Sequence, residues 1–99
     1  MPTFMILMRL TDKGAAEIKD QPDSVNRSIK AFEEMGGKVI GVYACGAIYD
    51  FVGIGEAPNG KVAEAFRRYI LAAGLARAQV IRLYPLAEFQ AIIDSLKLK

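Results

Sequence analysis

The sequence predicts an α+β sandwich: a four-stranded antiparallel sheet with two helices on one face. Three observations predict it. Four short apolar runs are bounded by turn chemistry. Two segments with helical apolar spacing lie between them. Runs and segments alternate as strand, helix, strand, strand, helix, strand. The 99 residues are the size of one small domain.

Thr3 to Leu10 reads as the first strand, closed by Thr11-Asp12-Lys13-Gly14. Phe4, Ile6 and Met8 fall on one face, Met5 and Leu7 with Arg9 on the other. A strand apolar on both faces needs cover on both sides of its sheet. Ala15 to Gln21 is a polar connector with room for one helical turn. Pro22 to Met35 is the first long helix, starting at Asp20 or Gln21 with Pro near the first helical position. Val25, Ile29 and Phe32 form its inward stripe, and Gly36-Gly37 ends it.

Lys38 to Cys45 is the second strand, Gly46-Ala47-Ile48 a short link, and Tyr49 to Glu56 the third, together a hairpin. Asn59 caps the next helix. That helix runs to about Ala73, with Val62, Phe66, Tyr69 and Ile70 inward and Lys61, Glu64, Arg67 and Arg68 outward. Gly74 stops it. Ala76 to Tyr84 is the fourth strand, ended by Pro85. Leu86, Phe89, Ile93 and Leu96 then repeat at 3-4-3 spacing, one helical stripe.

With right-handed crossovers this order closes as a ferredoxin-like sandwich with strand order 4-1-3-2. Residues 1–85 form the domain, and 86–99 a C-terminal helix packing on the domain or on a neighbouring subunit. One sheet face is bare in a monomer. Two sheets facing each other cover it, so the expected state is a homodimer or higher, with a barrel-like core. Composition agrees: apolar residues plus glycine exceed the ~45–50% of an average domain.

Several chemistries are excluded. There is no His, hence no His-based triad and no imidazole metal site. One Cys makes no intrachain disulfide and no zinc knuckle. The carboxylates lack metal-ligand spacing, and no phosphate loop is present, so no metal and no cofactor are expected. Thirteen basic against eleven acidic residues, evenly scattered, imply neither nucleic acid nor a membrane surface as partner. A lone thiol and no leader-like start fit a cytoplasmic protein.

The chain resembles the GYD-domain family, small proteins placed with the dimeric α/β barrels. The matching pieces are Met-Pro-Thr-Phe at 1–4, Thr-Asp-Lys-Gly at 11–14, Ile-Lys-Asp at 18–20, Gly-Gly-Lys-Val at 36–39, Tyr-Asp at 49–50 and Glu-Ala-Pro at 56–58. They span roughly Met1 to Phe89. One departure is that Ala47-Ile48 precede Tyr49-Asp50 where the family pattern has Gly-x. The resemblance implies the barrel-forming fold and leaves the activity open.

The predicted topology brings the end of the first strand beside the starts of the third and fourth. Arg9, Tyr49, Asp50, Arg77 and Gln79 meet there, the densest polar group on otherwise apolar strands. Asp50 suits a general base or ligand anchor and Arg9 an anion site. The plainer role for Asp50 is to accept turn N–H groups or to pair with Arg9. Tyr43 and Phe51, with Met5 or Met8, line the bare face as a pocket for a flat apolar ligand or as dimer core. Cys45 ends an apolar run and reads as an inert thiol. Gly53 and Gly55 let another group approach the third strand closely. Two kinds of function fit. One is a homo-oligomeric small-molecule-binding or assembly module. The other is a cofactor-independent isomerase or oxygenase acting on a small substrate, aromatic ones included.

Overall fold

The computed structural model describes residues 1–96. Positions 97–99 of the expected C-terminal helix lie outside the described residues. The central strand β1 (Thr3–Leu10) pairs antiparallel with β3 (Phe51–Glu56) on one side and β4 (Ala76–Leu83) on the other. Strand β2 (Lys38–Ala44) pairs antiparallel with β3. The order is β2-β3-β1-β4, which from the opposite edge is β4-β1-β3-β2, consistent with the ferredoxin-like topology.

The connection after β1 starts earlier than the sequence suggests. A short helix α1 (Asp12–Ala16) begins directly after Thr11, whose hydroxyl oxygen accepts the Gly14 N–H at 3.2 Å. The same hydroxyl donates to the Gly74 carbonyl at 2.6 Å, and the Thr11 N–H donates to the Leu75 carbonyl at 3.0 Å. A Cβ at position 14 would stand 1.9 Å from the Leu75 carbonyl oxygen, so only glycine fits this approach. The Thr-Asp-Lys-Gly motif is thus a clasp tying the end of β1 to the start of β4.

After a 3₁₀ turn at Ile18–Asp20 comes α2 (Gln21–Glu34), with Pro22 in its first turn. Helix α3 (Gly60–Ala73) is capped by the Asn59 side chain, which accepts the Val62 N–H at 3.0 Å, and ended by Gly74 at φ 74°. Both long helices cover one sheet face. Phe4 and Ile6 of β1, Ala78 of β4, Phe32 of α2, and Ala63, Phe66 and Ile70 of α3 form the core. Phe32 and Phe66 meet with ring centroids 4.9 Å apart. Phe32 reaches the sheet where β3 has Gly55: a Cβ there would lie 2.8 Å from its ring. Burying that ring is worth roughly 1.5–3 kcal/mol.

Two side chains on α3 differ from expectation. Tyr69 is exposed, with its ring stacked on Phe66 at a centroid distance of 6.1 Å, and Ala63 is buried in the core. Arg67 is half-buried, and its Nε donates to the Ala78 carbonyl at 2.8 Å. β3 starts at Phe51, so Tyr49 and Asp50 belong to the link, which turns through Ala47 at φ 82°.

Among the described residues no helix covers the second sheet face. By register, Met5 stands between Ile54 and Ile81, and Leu7 between Val52 and Gln79. Tyr43 lies opposite Val52 on the same face and is 60% exposed. Helix α4 (Leu86–Ser95) has no buried residue, and Leu86 is 84% exposed. Arg82 links it to the sheet. Its guanidinium lies 4.4 Å from the Tyr84 ring centroid and 5.7 Å from that of Phe4, and its Nη2 is 3.0 Å from a Glu88 carboxylate oxygen.

Candidate functional site

The polar residues at the end of β1 do come together, but with other partners than expected. Asp50 does not pair with Arg9. Its Oδ2 accepts the Leu10 N–H at 2.8 Å, its own N–H donates to the Met8 carbonyl at 2.9 Å, and its carbonyl accepts the Cys45 N–H at 2.8 Å. Asp50 therefore fastens the link between β2 and β3 onto β1. Its extra acceptor satisfies a strand-end donor that has no ladder partner.

Arg9 and Arg77 are direct cross-strand partners on the open face. Among the described residues neither has a carboxylate within 4.0 Å. Like charges opposite each other on a sheet destabilise by a few tenths of a kcal/mol to about 1 kcal/mol. Beside them the Tyr49 hydroxyl donates to Gln79 Oε1 at 2.8 Å. The edge is a cationic pair flanked by a polar pair, with its carboxylate already committed.

Tyr43 and Phe51 do not share a surface. Phe51 and Met8 point to the helix side, and Tyr43 and Met5 to the open side. The cause is a register shift between Val39 and Gly41. The extra residue, Ile40, lets Val39 and Val42 both face the helices, so Tyr43 falls outward. Cys45 is half-buried, with its sulfur 3.9 Å from the Tyr43 carbonyl oxygen.

Sequence reasoning missed a second feature. Between the helices and the sheet lies a cavity of about 160 Å³. Met8, Val42, Phe51 and Gly53 line its sheet side, and Val25, Ile29 and Ile70 its helix side. Gly53 is buried, yet a Cβ added there would meet nothing within 4 Å. The signal was present as missing volume: Gly53 removes a side chain from the helix-facing side of β3, whereas the space over Gly55 is filled by Phe32. At the rim stand Glu17, Gln21, Ser24, Arg27 and Ser28. Arg27 Nη2 donates to Ser24 Oγ at 3.1 Å.

A carboxylate held by two arginines lies elsewhere. Glu64, on the exposed side of α3, is held below the ordinary glutamate range by hydrogen bonds from Arg68 and then Arg67. Among the described residues no three of His, Cys, Asp and Glu converge as metal ligands. No helix there is long and apolar enough to cross a membrane.

The family model of the GYD domain matches residues 4–93. A similar curated protein is the glutamine synthetase and cystathionine beta-lyase binding protein of Thermus thermophilus. It is 28% identical over 92 residues, covering 92% of this chain and 97% of that protein. No solved structure matches the chain significantly. With nearly its whole length matched, the chain belongs to the GYD domain family.

Proposed function

We propose that this member of the GYD domain family is a binding module without catalysis, that it works as a homodimer paired sheet to sheet, and that the dimer docks onto a partner enzyme. The carrying observation is the uncovered apolar surface. Met5, Leu7, Val52, Ile54 and Ile81 form a continuous patch on the open sheet face. Leu86, Phe89, Ile93 and Leu96 form a second on α4. Patches of this kind mark contact surfaces. A second copy meets the first with an equally apolar face, so each sheet covers the other and a barrel-like core results. In that pairing α4 packs on the neighbouring subunit.

The partner enzyme is supported by the Thermus thermophilus relative, whose name states that it binds two enzymes. An enzymatic role gains no support from the edge cluster, since Asp50 accepts the Leu10 N–H and Tyr49 is engaged with Gln79.

Native mass spectrometry tests this reading, on the protein alone and mixed with a purified glutamine synthetase. The expected result is a dimer mass that joins the enzyme in the mixture. Ile81→Glu places a charge on the exposed edge strand of the open face and should give a folded monomer. A monomer from the unmodified chain at micromolar concentration overturns the pairing. A dimer that ignores the enzyme overturns the docking alone.

A further inference from the structure

We propose that the cavity between helices and sheet is a binding site for a monocyclic aromatic acid. The ring would lie against Gly53 and the carboxylate at the Ser24–Arg27–Ser28 rim. This goes beyond the oligomeric reading and is independent of it.

Volume carries the first step. The cavity measures about 160 Å³. An engineered cavity of ~150 Å³ walled by Leu, Ile and Phe stays dry and takes up benzene. A single ring therefore fits.

Wall chemistry carries the second. The inner surface is built from Met8, Ile29, Val42, Phe51 and Ile70 around Gly53. Water needs two to four polar partners, which these side chains do not offer. Small-molecule sites combine such apolar walls with a few polar groups that fix orientation.

The rim carries the third. The polar residues of α2 that border the cavity are Gln21, Ser24, Arg27 and Ser28. Among the described residues Arg27 has no carboxylate within 4.0 Å, so its charge is uncommitted. The Ser28 hydroxyl donates to the Ser24 carbonyl at 3.0 Å, and Ser24 Oγ accepts from Arg27. A carboxylate at the rim accepts from Arg27 and replaces its bond to a neutral hydroxyl with one in which both partners are ionised. Glu17 borders the same cavity and offsets part of the Arg27 field, so the ring supplies most of the affinity and the acid group mainly sets its direction.

The experiment uses toluene and benzoate as probes, read by thermal melting and by amide NMR shifts at Gly53, Ile29 and Ile70. Both probes should raise the melting temperature and move those amides. Gly53→Leu fills the space and should abolish both responses, with the unliganded melting temperature equal or higher. Arg27→Ala should weaken benzoate roughly twofold to fivefold, the scale of a partly exposed charge pair, and leave toluene unchanged. Should the leucine variant fail to fold, Gly53→Ala replaces it, because its Cβ meets no atom within 4 Å; toluene binding should then weaken. The proposal is overturned if neither probe acts on the unmodified chain, or if the responses survive the filled Gly53 position. Benzoate binding unchanged by Arg27→Ala overturns the acid specificity. Subunit mass recorded on the same samples separates these outcomes from any failure to dimerise.

Discussion

At the scale of single residues, the edge of the sheet separates a fastening role from a binding role. Asp50 gives its carboxylate to the Leu10 N–H at 2.8 Å. Asp50→Ala leaves that half-buried donor without its acceptor, at a cost of ~1–3 kcal/mol. Asp50→Asn keeps an acceptor oxygen and should lose less. Arg9→Ala removes a like-charge neighbour of Arg77 and should leave stability unchanged or raise it by up to about 1 kcal/mol. Urea titration of the three variants checks the ranking, and an Arg9→Ala loss as large as that of Asp50→Ala contradicts it. The sequence showed that Arg9, Tyr49, Asp50 and Arg77 would be neighbours, because strand ends follow from topology. It did not show which donor Asp50 takes. That depends on a link that turns through a left-handed Ala47, at the position where the family pattern has Gly; the motif marks the turn but not the donor that the turn brings to Asp50. Thr11 and Gly14 were visible as a motif, but their tie to Gly74 and Leu75 joins segments far apart in the chain.

At the scale of elements, strands and helices were legible because each has its own period and end signals. Asn59 as cap, Gly74 as stop and the Thr3–Leu10 strand stand where residue chemistry puts them. The faces of β2 were less legible. A single extra residue near Ile40 inverts the alternation, so Val42 faces the helices and Tyr43 the open side. A charge at Val42 or Phe51 should therefore unfold the chain, whereas one at Ile81 should separate subunits. The cavity was only partly legible. Gly53 marks missing side-chain volume on the helix-facing side of β3, but helix periodicity carries no information on what packs over it. Helix α4 gives the sharpest test at this scale. Its residues are all exposed, so they contribute little to the stability of one chain. Phe89→Ser with Ile93→Ser should leave the far-ultraviolet spectrum of the domain nearly unchanged and weaken the dimer. Sedimentation equilibrium reads the second effect, and an unaltered association constant would separate α4 from the interface.

At the scale of the whole molecule, surface and shape favour a missing neighbour. A folded monomer of 10.8 kDa is expected to expose ~5,500 Å², whereas this chain exposes 6839 Å². The excess of ~1,300 Å² exceeds the ~800 Å² that each partner contributes to a standard interface. The radius of gyration agrees: 15.3 Å, against ~13 Å for a compact chain of about 100 residues. Both departures have a common origin in the bare sheet face and the uncovered α4. If pairing supplies the cover, folding and association are coupled, and the native state gains stability by mass action. The melting temperature should then rise with protein concentration, by several degrees over a hundredfold range, while a monomeric Ile81→Glu variant should melt lower and at one temperature throughout. Differential scanning calorimetry at two concentrations makes the comparison. A concentration-independent melting temperature in the unmodified chain would mean that the sandwich is stable with its second face in water. The apolar surplus would then serve a different partner.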